Sequence, residues 1–305
     1  MSFSKAWFER AVWICSILCC SVAQGQSLDL ADASKAFNAG KWVEAERLLR
    51  NYLAGRTESA DARYLLASTL FHEDRPTESL AEYTSAAKLR RPGADDLRSV
   101  ALDYVLAHDY KDADKWMMEA VRLAPENGDA WYELGRIRYT EEKFDGAVEA
   151  FQEALQRMPG SVKAENNLGL AYEGLYQPEK ATAAYRQAIE WQKNDRQPSE
   201  QPYINLGKLL IEKEHAEEAL PYLLRAEELS PANEQTHVVI GGLYQKQGDL
   251  KKAQDELEQA VEITPKDAAA HFLLGRIYRS QGLLEKANTE FALVADLHKT
   301  QTAKP

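Results

Sequence analysis

Residues 128–161 read GDAWYELGRIRYTEEKFDGAVEAFQEALQRMPGS, and this stretch decides the fold. Its first half places Trp131, Leu134 and Gly135 at i, i+3 and i+4, the spacing of one buried helical face. Its second half is rich in alanine and ends at Pro159, a residue that stops a helix and begins a link. The stretch therefore predicts two helices joined by a turn.

The same pattern recurs along almost the whole chain with a period of 34 residues. An alanine marks the same step of the pattern in five copies, at Ala147, Ala181, Ala219, Ala253 and Ala287. If Trp131 is numbered as position 4, the register breaks once, where residues 196–199 are inserted. Eight repeats follow from this numbering, at residues 26–59, 60–93, 94–127, 128–161, 162–195, 200–233, 234–267 and 268–301.

The period and its residues resemble the tetratricopeptide repeat, a helix–turn–helix unit of 34 residues. The residues that carry the resemblance are Trp131, Leu134, Gly135, Ala147, Phe151, Ala154 and Pro159. The resemblance implies an all-α, right-handed superhelical solenoid of about eight repeats over residues 26–301, with residues 302–305 as a C-terminal tail. One helix pair is too small to bury its own apolar face, so stability is expected to come from stacking between neighbours.

Individual positions of the repeat predict how its helices meet. Glycine or alanine at position 8 and alanine at position 20 are expected to let the two helices approach closely. Gly40, Gly248 and Gly282 at position 15 are expected to end the first helix of their repeats. In the first repeat Asp29 and Asp32 occupy positions that call for apolar residues. That repeat is therefore expected to be a degenerate cap with a frayed first helix.

Residues 1–25 have the layout of a secretory signal peptide. Lys5 and Arg10 precede an apolar run from 11 to 23, and Ala23-Gln24-Gly25 offers small residues for cleavage. The apolar run is shorter than the roughly 20 residues that span a membrane. We expect export to the periplasm or the medium, no membrane insertion after cleavage, and as an alternative an uncleaved anchor. All three cysteines lie in this leader.

The charge of the chain narrows its partners. It contains 37 basic and 48 acidic side chains, a net charge of −11, without a basic block. An acidic chain of this kind is a poor candidate for binding nucleic acid or an anionic membrane surface. We therefore expect a protein or peptide partner.

The sequence contains no motif that supports catalysis or cofactor binding. It lacks a GxSxG elbow, an HExxH pair and a glycine-rich phosphate loop. His237 and His271 share position 4 of adjacent repeats, either as a metal pair or as core residues. Position 4 takes a large flat side chain at Trp131, which favours the core interpretation. We predict a non-catalytic chain without a cofactor or metal.

In the tetratricopeptide family the first helices of the repeats line a concave groove that holds a peptide. Here positions 2, 5, 9 and 13 are expected to face it, and the asparagines Asn167 and Asn205 at position 6 are further candidates. The basic and apolar residues at these positions favour an acidic partner with apolar anchors. The alternative is that these are ordinary solvated side chains, with position 5 packed partly on the preceding helix. The candidate groove residues are Tyr132, Arg136, Asn167, Ile204, Asn205, Lys208, Val238, Lys246, Phe272 and Arg276.

The last repeat presents apolar residues that no further repeat in the sequence covers. Exposed apolar surface of this kind favours a partner or self-association, unless the intervening charged residues solvate it well enough. The candidates are Phe291, Leu293, Val294 and Leu297. The sequence thus predicts an interaction scaffold, an accessory of an envelope assembly or secretion complex. The alternative is a structural protein that forms a homo-oligomer through its last repeat.

Overall fold

The structure, a computed structural model, describes residues 30–302. Over this range the chain forms sixteen α-helices and no strand, which confirms the predicted all-α fold of eight helix pairs. The helices are α1 (Leu30–Asn38), α2 (Trp42–Gly55), α3 (Ala60–His72), α4 (Pro76–Ala87), α5 (Ala94–Leu106), α6 (Tyr110–Leu123), α7 (Gly128–Thr140), α8 (Phe144–Arg157), α9 (Val162–Gly174), α10 (Pro178–Trp191), α11 (Gln201–Glu212), α12 (Ala216–Leu229), α13 (Glu234–Gln247), α14 (Leu250–Ile263), α15 (Ala268–Ser280) and α16 (Leu284–Thr302).

The helices form hairpins that stack in sequence order. Each odd-numbered helix, called here an A helix, packs against the B helix that follows it. The chain divides at 125/126 into two compact units, α1–α6 and α7–α16. Inside each unit a B helix packs on the next A helix, and successive A helices also touch. Among the described helices no B helix approaches the next B helix as closely, so the A helices lie on the concave side of each unit.

The turn between the A and B helices has the same backbone conformation in all eight described repeats. Position 15 has a positive φ throughout, at Gly40, Gly248 and Gly282 as predicted. The other five repeats place a residue with a side chain in this left-handed conformation, although glycine adopts it at the lowest cost. These residues are Asp74, His108, Glu142, Tyr176 and Glu214.

Glycine at position 8 gives room to a large side chain of the B helix. A Cβ atom added to Gly135 would lie 2.5 Å from the ring of Phe151, closer than real contacts allow. Phe151 occupies position 24 of the same repeat. The same relation joins position 8 to position 24 in four further repeats, Gly169 with Tyr185, Gly207 with Leu223, Gly241 with Leu257 and Gly275 with Phe291. The close approach expected at position 8 is thus between a glycine and a side chain.

The predicted insertion at residues 196–199 forms the link between α10 and α11. The Gln192 side chain, almost completely buried, holds this link at Ser199. Its Nε2 donates a hydrogen bond to the Ser199 carbonyl oxygen at 2.8 Å, and the Ser199 N–H donates to its Oε1 at 2.9 Å. One amide side chain therefore satisfies both main-chain groups of the residue that precedes the next repeat.

In the first repeat, Asp32 at position 7 of α1 is exposed, as expected for a degenerate cap. Asp29 and the predicted leader lie outside the described residues. None of the helices between residues 30 and 302 combines the length and apolar character that crossing a bilayer requires.

Candidate functional site

A cleft of about 550 Å³ opens on the concave side of the second unit. Three consecutive A helices form it, because α11 and α15 flank α13 and each touches it. Four of the predicted groove residues, Lys208, Val238, Lys246 and Arg276, line this cleft together. The remaining lining residues are Ile211, Glu212, Val239, Gly242, Leu243, Gln245 and Leu273.

The charged groups of this cleft are mainly cationic. Lys208, Lys246 and Arg276 are exposed, and Glu212 is the one acidic residue among those that line it. Within the described part of the chain, none of the three cations forms an ion pair. Their side chains are exposed, so the charges are accessible to solvent. In an acidic protein this cleft is a local region of positive charge.

The floor of the cleft is apolar. Val238 and Val239 are half-buried on α13, and Leu243 is buried one turn later. Gly242 lies between them on the open side, where an added Cβ atom would meet no heavy atom within 4 Å. Because α13 has no side chain at this point, the cleft deepens between the cations.

Sequence reasoning missed part of this floor. Val239 and Leu273 occupy position 6, and Leu243 occupies position 10. The groove face of an A helix therefore includes positions 6, 10 and 12 beside positions 5, 9 and 13. The sequence did contain a signal for this apolar floor. Position 6 is apolar in repeats seven and eight but asparagine in repeats five and six.

Two predicted groove residues are buried and do not face a ligand. Ile204 is fully buried and Asn205 is nearly so, which corrects their assignment to the groove. Position 5 of this repeat is thus part of the core, in agreement with the alternative that position 5 packs against neighbouring helices. The side-chain amide of Asn205 donates to Asn166 Oδ1 at 2.9 Å and accepts from Gln201 at 3.0 Å.

Asn167 belongs to a separate polar region. Its Nδ2 donates to the Tyr132 hydroxyl at 3.3 Å, and its Oδ1 accepts from Asn166 at 3.3 Å. It lines a cavity of about 340 Å³ beside the inserted link. These amides connect the A helices of repeats four, five and six to one another. The structure thus gives Asn167 and Asn205 hydrogen-bond partners within the protein.

The remaining predicted groove residues lie outside the cleft. Arg136 forms an ion pair with Glu133 at 3.0 Å, and its guanidinium lies 5.9 Å from the Tyr132 ring centroid. Arg136 therefore has an ion-pair partner, whereas Lys208 and Arg276 have none among the described residues. Phe272 is 47% exposed and contacts Phe291 at a ring distance of 5.8 Å.

The two position-4 histidines are buried, as the core interpretation requires. His237 places Nε2 2.8 Å from the Pro231 carbonyl oxygen and Nδ1 2.9 Å from Glu256 Oε2. The hydrogen bond to Glu256 raises the pKa of His237, and desolvation opposes it. His271 repeats the arrangement with Pro265 at 3.1 Å and Glu290 at 2.6 Å. Each histidine therefore joins its own B helix to the end of the preceding repeat.

A buried carboxyl group lies in the first unit. Asp103 is fully buried at position 10, where later repeats have isoleucine, leucine or alanine, and burial raises its pKa to about 7. The Ser79 hydroxyl lies 2.6 Å from Asp103 Oδ2 and 2.9 Å from the Ala67 carbonyl oxygen. One hydroxyl hydrogen cannot serve both acceptors, so a proton on Asp103 completes the arrangement. This pairing explains why serine replaces alanine at position 20 of the second repeat.

The predicted self-association residues differ in their exposure. Leu293 on α16 is 38% exposed, whereas Val294 and Leu297 are half-buried. Phe291 lies against Gly275 and Phe272 and is part of the core of its own hairpin. Phe291 is therefore a poor probe of an intermolecular contact, because its substitution disturbs the hairpin itself.

The hairpins define a class of protein, the α-helical repeat proteins. A family model described as the cilia and flagella-associated protein 70 middle TPR-like domain matches residues 97–264, more than half of the chain. A tetratricopeptide repeat model matches residues 30–95 and 239–300. The chain belongs to the tetratricopeptide-repeat family.

Several known proteins are similar to this chain. Anaphase-promoting complex subunit 6 of Arabidopsis thaliana is 24% identical over 155 residues, which are 49% of this chain and 28% of that protein. The chain thus aligns with less than a third of its curated relative. A tetratricopeptide repeat protein from Parabacteroides merdae has a TM-score of 0.65 at 17% identity, covering 83% of this chain and 99% of that one.

The APC/C heterotetramer Cut9–Hcn1 matches with a TM-score of 0.60 at 16% identity, over 91% of this chain and 55% of that chain. Identities this low show a shared fold. Together with the family, the fold makes this chain a protein–protein interaction scaffold. Proteins of this class bind protein or peptide partners and in general carry no catalytic activity.

Proposed function

We propose that this scaffold binds an acidic peptide segment with apolar side chains in the cleft of α11, α13 and α15. The observation that carries the proposal is the set of three unpaired cations, Lys208, Lys246 and Arg276, around an apolar floor. An acidic partner segment would form the ion pairs that these cations do not form with the described residues. Its apolar side chains would cover the floor beside Gly242.

Charge and burial supply different parts of this recognition. Cations at the rim steer an acidic segment toward the cleft and determine its orientation, and salt screens this effect. Removal of apolar surface from water contributes about 25 cal/mol per Å², from which the costs of association and ordering are subtracted. The partner is therefore expected to alternate acidic and apolar residues.

The proposal is tested with a random 12-residue peptide library displayed on phage and selected on the full chain. Enriched peptides are expected to combine Asp or Glu with Leu, Phe or Val. The double variant Lys208→Glu/Arg276→Glu should bind them at least about tenfold more weakly, a loss of roughly 1.4 kcal/mol. A matched control is Arg196→Glu/Lys266→Glu, which changes the net charge equally at sites outside the cleft.

Two results would count against the cleft. Enriched peptides without acidic residues would contradict the proposed partner chemistry. Equal weakening by the cleft and control variants would mean that only the overall charge matters, and the cleft would lose its role.

We also propose that the protein acts after export, as an accessory of an envelope assembly or secretion complex. Lys5, Arg10 and the apolar run at 11–23 support this proposal. Amino-terminal sequencing of the protein recovered from periplasm or medium is expected to begin near residue 26. Recovery of the intact chain in the membrane fraction would support the uncleaved anchor instead.

Self-association is a second candidate function, favoured by the exposed Leu293 on α16. Leu293→Glu is the suitable variant, because Phe291 belongs to the hairpin core. Light scattering of the parent should then give a mass above that of one chain, and the variant should return to a single-chain mass. A parent that is monomeric at all concentrations would exclude this function.

A further inference from the structure

Three consecutive helices of the second unit bring metal-ligating side chains to one point. Glu227 is on α12, His237 on α13 and Glu256 on α14. His237 Nδ1 lies 2.9 Å from Glu256 Oε2 and 4.0 Å from Glu227 Oε1. One ligand atom from each residue lies within 4.8 Å of the other two. The three atoms thus surround a common point between repeats six and seven.

The histidine is held in the orientation that a metal ligand needs. Its ring is buried, and Nε2 lies 2.8 Å from the Pro231 carbonyl oxygen. A carbonyl oxygen only accepts hydrogen bonds, so Nε2 carries a hydrogen and Nδ1 is directed at the two carboxylates. Metal-bound histidines usually have their other ring nitrogen bonded in this way to a carbonyl or carboxylate.

The two carboxylates lack a cationic partner of their own. Among the described residues, neither Glu227 nor Glu256 forms an ion pair with a lysine or arginine. Two carboxylates that face one imidazole leave an excess of negative charge, which a divalent cation would balance.

The next repeat contains the same histidine with one ligand fewer. His271 contacts Glu290 and the Pro265 carbonyl oxygen, as His237 contacts Glu256 and Pro231. Position 28 of the preceding repeat is Glu227 beside His237 but Val261 beside His271. The arrangement at His271 therefore shows which groups suffice for packing: a histidine, a glutamate of its B helix and a carbonyl oxygen. Glu227 is not needed for that role.

We propose that Glu227, His237 and Glu256 bind a divalent transition-metal ion, with zinc as the best match. Imidazole and carboxylate ligands suit zinc, and its bonds to them are about 2.0–2.2 Å long. Tetrahedral bonds of that length separate the ligand atoms by about 3.3 Å. This value lies between the distances from Nδ1 to Glu256 Oε2, 2.9 Å, and to Glu227 Oε1, 4.0 Å. Zinc would bind the lone pair of Nδ1 and displace the hydrogen shared between Nδ1 and Glu256 Oε2, which is released to solvent. Water would complete the coordination.

The bound ion would join repeats six and seven. It links α12 to the hairpin of α13 and α14, so it would stabilise the stacking of adjacent repeats. The described residues contain no disulfide that could serve this purpose. α13 also forms the floor of the cleft. Zinc binding at this site does not depend on the proposed peptide, because its ligands lie outside the cleft lining.

The test is zinc titration of the metal-free full chain by calorimetry, with the bound metal counted by mass spectrometry after dialysis. The parent chain is expected to bind one zinc ion. Glu227→Val copies the natural arrangement at His271, so it should fold normally and bind zinc at least about tenfold more weakly. Glu228→Val, at the exposed neighbouring position, should bind as the parent does.

Val261→Glu supplies the missing ligand beside His271 and should raise the stoichiometry from one ion to two. Absence of saturable zinc binding by the parent would overturn the proposal. Equal binding by the parent and Glu227→Val would overturn it as well. Circular dichroism of each variant separates loss of a ligand from loss of fold.

Discussion

Single residues decide how closely the helices of a repeat meet. Position 8 is glycine in five repeats, although glycine costs about 0.8–1 kcal/mol against alanine inside a helix. The sequence predicted a packing reason for this cost. It could not identify the partner, because position 24 is Phe, Tyr or Leu in different repeats. The structure shows that this side chain occupies the space of the missing Cβ atom.

Two adjacent glycines of α13 provide a matched comparison. A Cβ atom on Gly241 would lie 2.8 Å from Leu257, whereas one on Gly242 would meet nothing within 4 Å. We expect Gly241→Ala to destabilise the chain by about 1–3 kcal/mol through overpacking. Gly242→Ala should stabilise it by up to about 1 kcal/mol. Denaturant unfolding of both variants checks the opposite signs, and equal effects would contradict the packing described here.

Asp103 should make stability depend on pH. Its folded pKa is about 7 and its ordinary value is 3.8. The folded state therefore holds a proton that the unfolded state has lost between these values. Stability falls as pH rises from about 4 to about 7 and then stays level. Because one pKa unit corresponds to about 1.4 kcal/mol, the loss between pH 5 and pH 8 is about 2–3 kcal/mol.

Asp103→Asn removes this titration while preserving the shape of the side chain. The parent should lose about 2–3 kcal/mol more stability than the variant between pH 5 and pH 8. The exposed Asp95 provides the control, since Asp95→Asn should follow the parent. Parallel pH profiles of the parent and Asp103→Asn in urea unfolding would show that Asp103 titrates normally.

At the scale of the elements, the repeat determines where helices begin and end. The sequence predicted the left-handed turns at Gly40, Gly248 and Gly282, because glycine marks them. Tyr176 and Glu214 adopt the same conformation, but no glycine marks them in the sequence. The groove face was predictable at positions 9 and 13. Ile204 was misplaced because position 5 is buried there and accessible in repeats seven and eight.

The link between α10 and α11 depends on one buried amide. Gln192→Glu keeps the size of the side chain and still accepts from the Ser199 N–H. It loses the donor to the Ser199 carbonyl oxygen and places a buried carboxylate there, which costs about 1–3 kcal/mol. We expect lower thermal stability and faster amide exchange near residues 192–201. Unchanged exchange in this segment would mean that the link is held by other contacts.

At the scale of the whole molecule, repeated hairpins make stability a sum of neighbouring contacts. Eight helix pairs were predictable from the period alone, because every repeat carries the same packing positions. The partner was not predictable in the same way. The cleft depends on side chains at the few positions where the repeats differ, and on Gly242, which a consensus pattern does not single out.

Removal of residues 162–199 tests this additive picture. The deletion takes out repeat five with the inserted link and returns the chain to the 34-residue register. Helical circular dichroism per residue should be preserved, while the melting temperature falls. A broad loss of helix signal would show that stability is not carried by neighbouring contacts.

Hydrogen exchange of the full chain, with and without a selected acidic peptide, tests the central claim most directly. The cleft predicts slower exchange in α11, α13 and α15 on peptide binding, with little change in α12 and α14. The protection should disappear in the Lys208→Glu/Arg276→Glu variant and persist in the Arg196→Glu/Lys266→Glu control. Protection confined to the B helices or to α16 while the peptide stays bound would contradict recognition in this cleft.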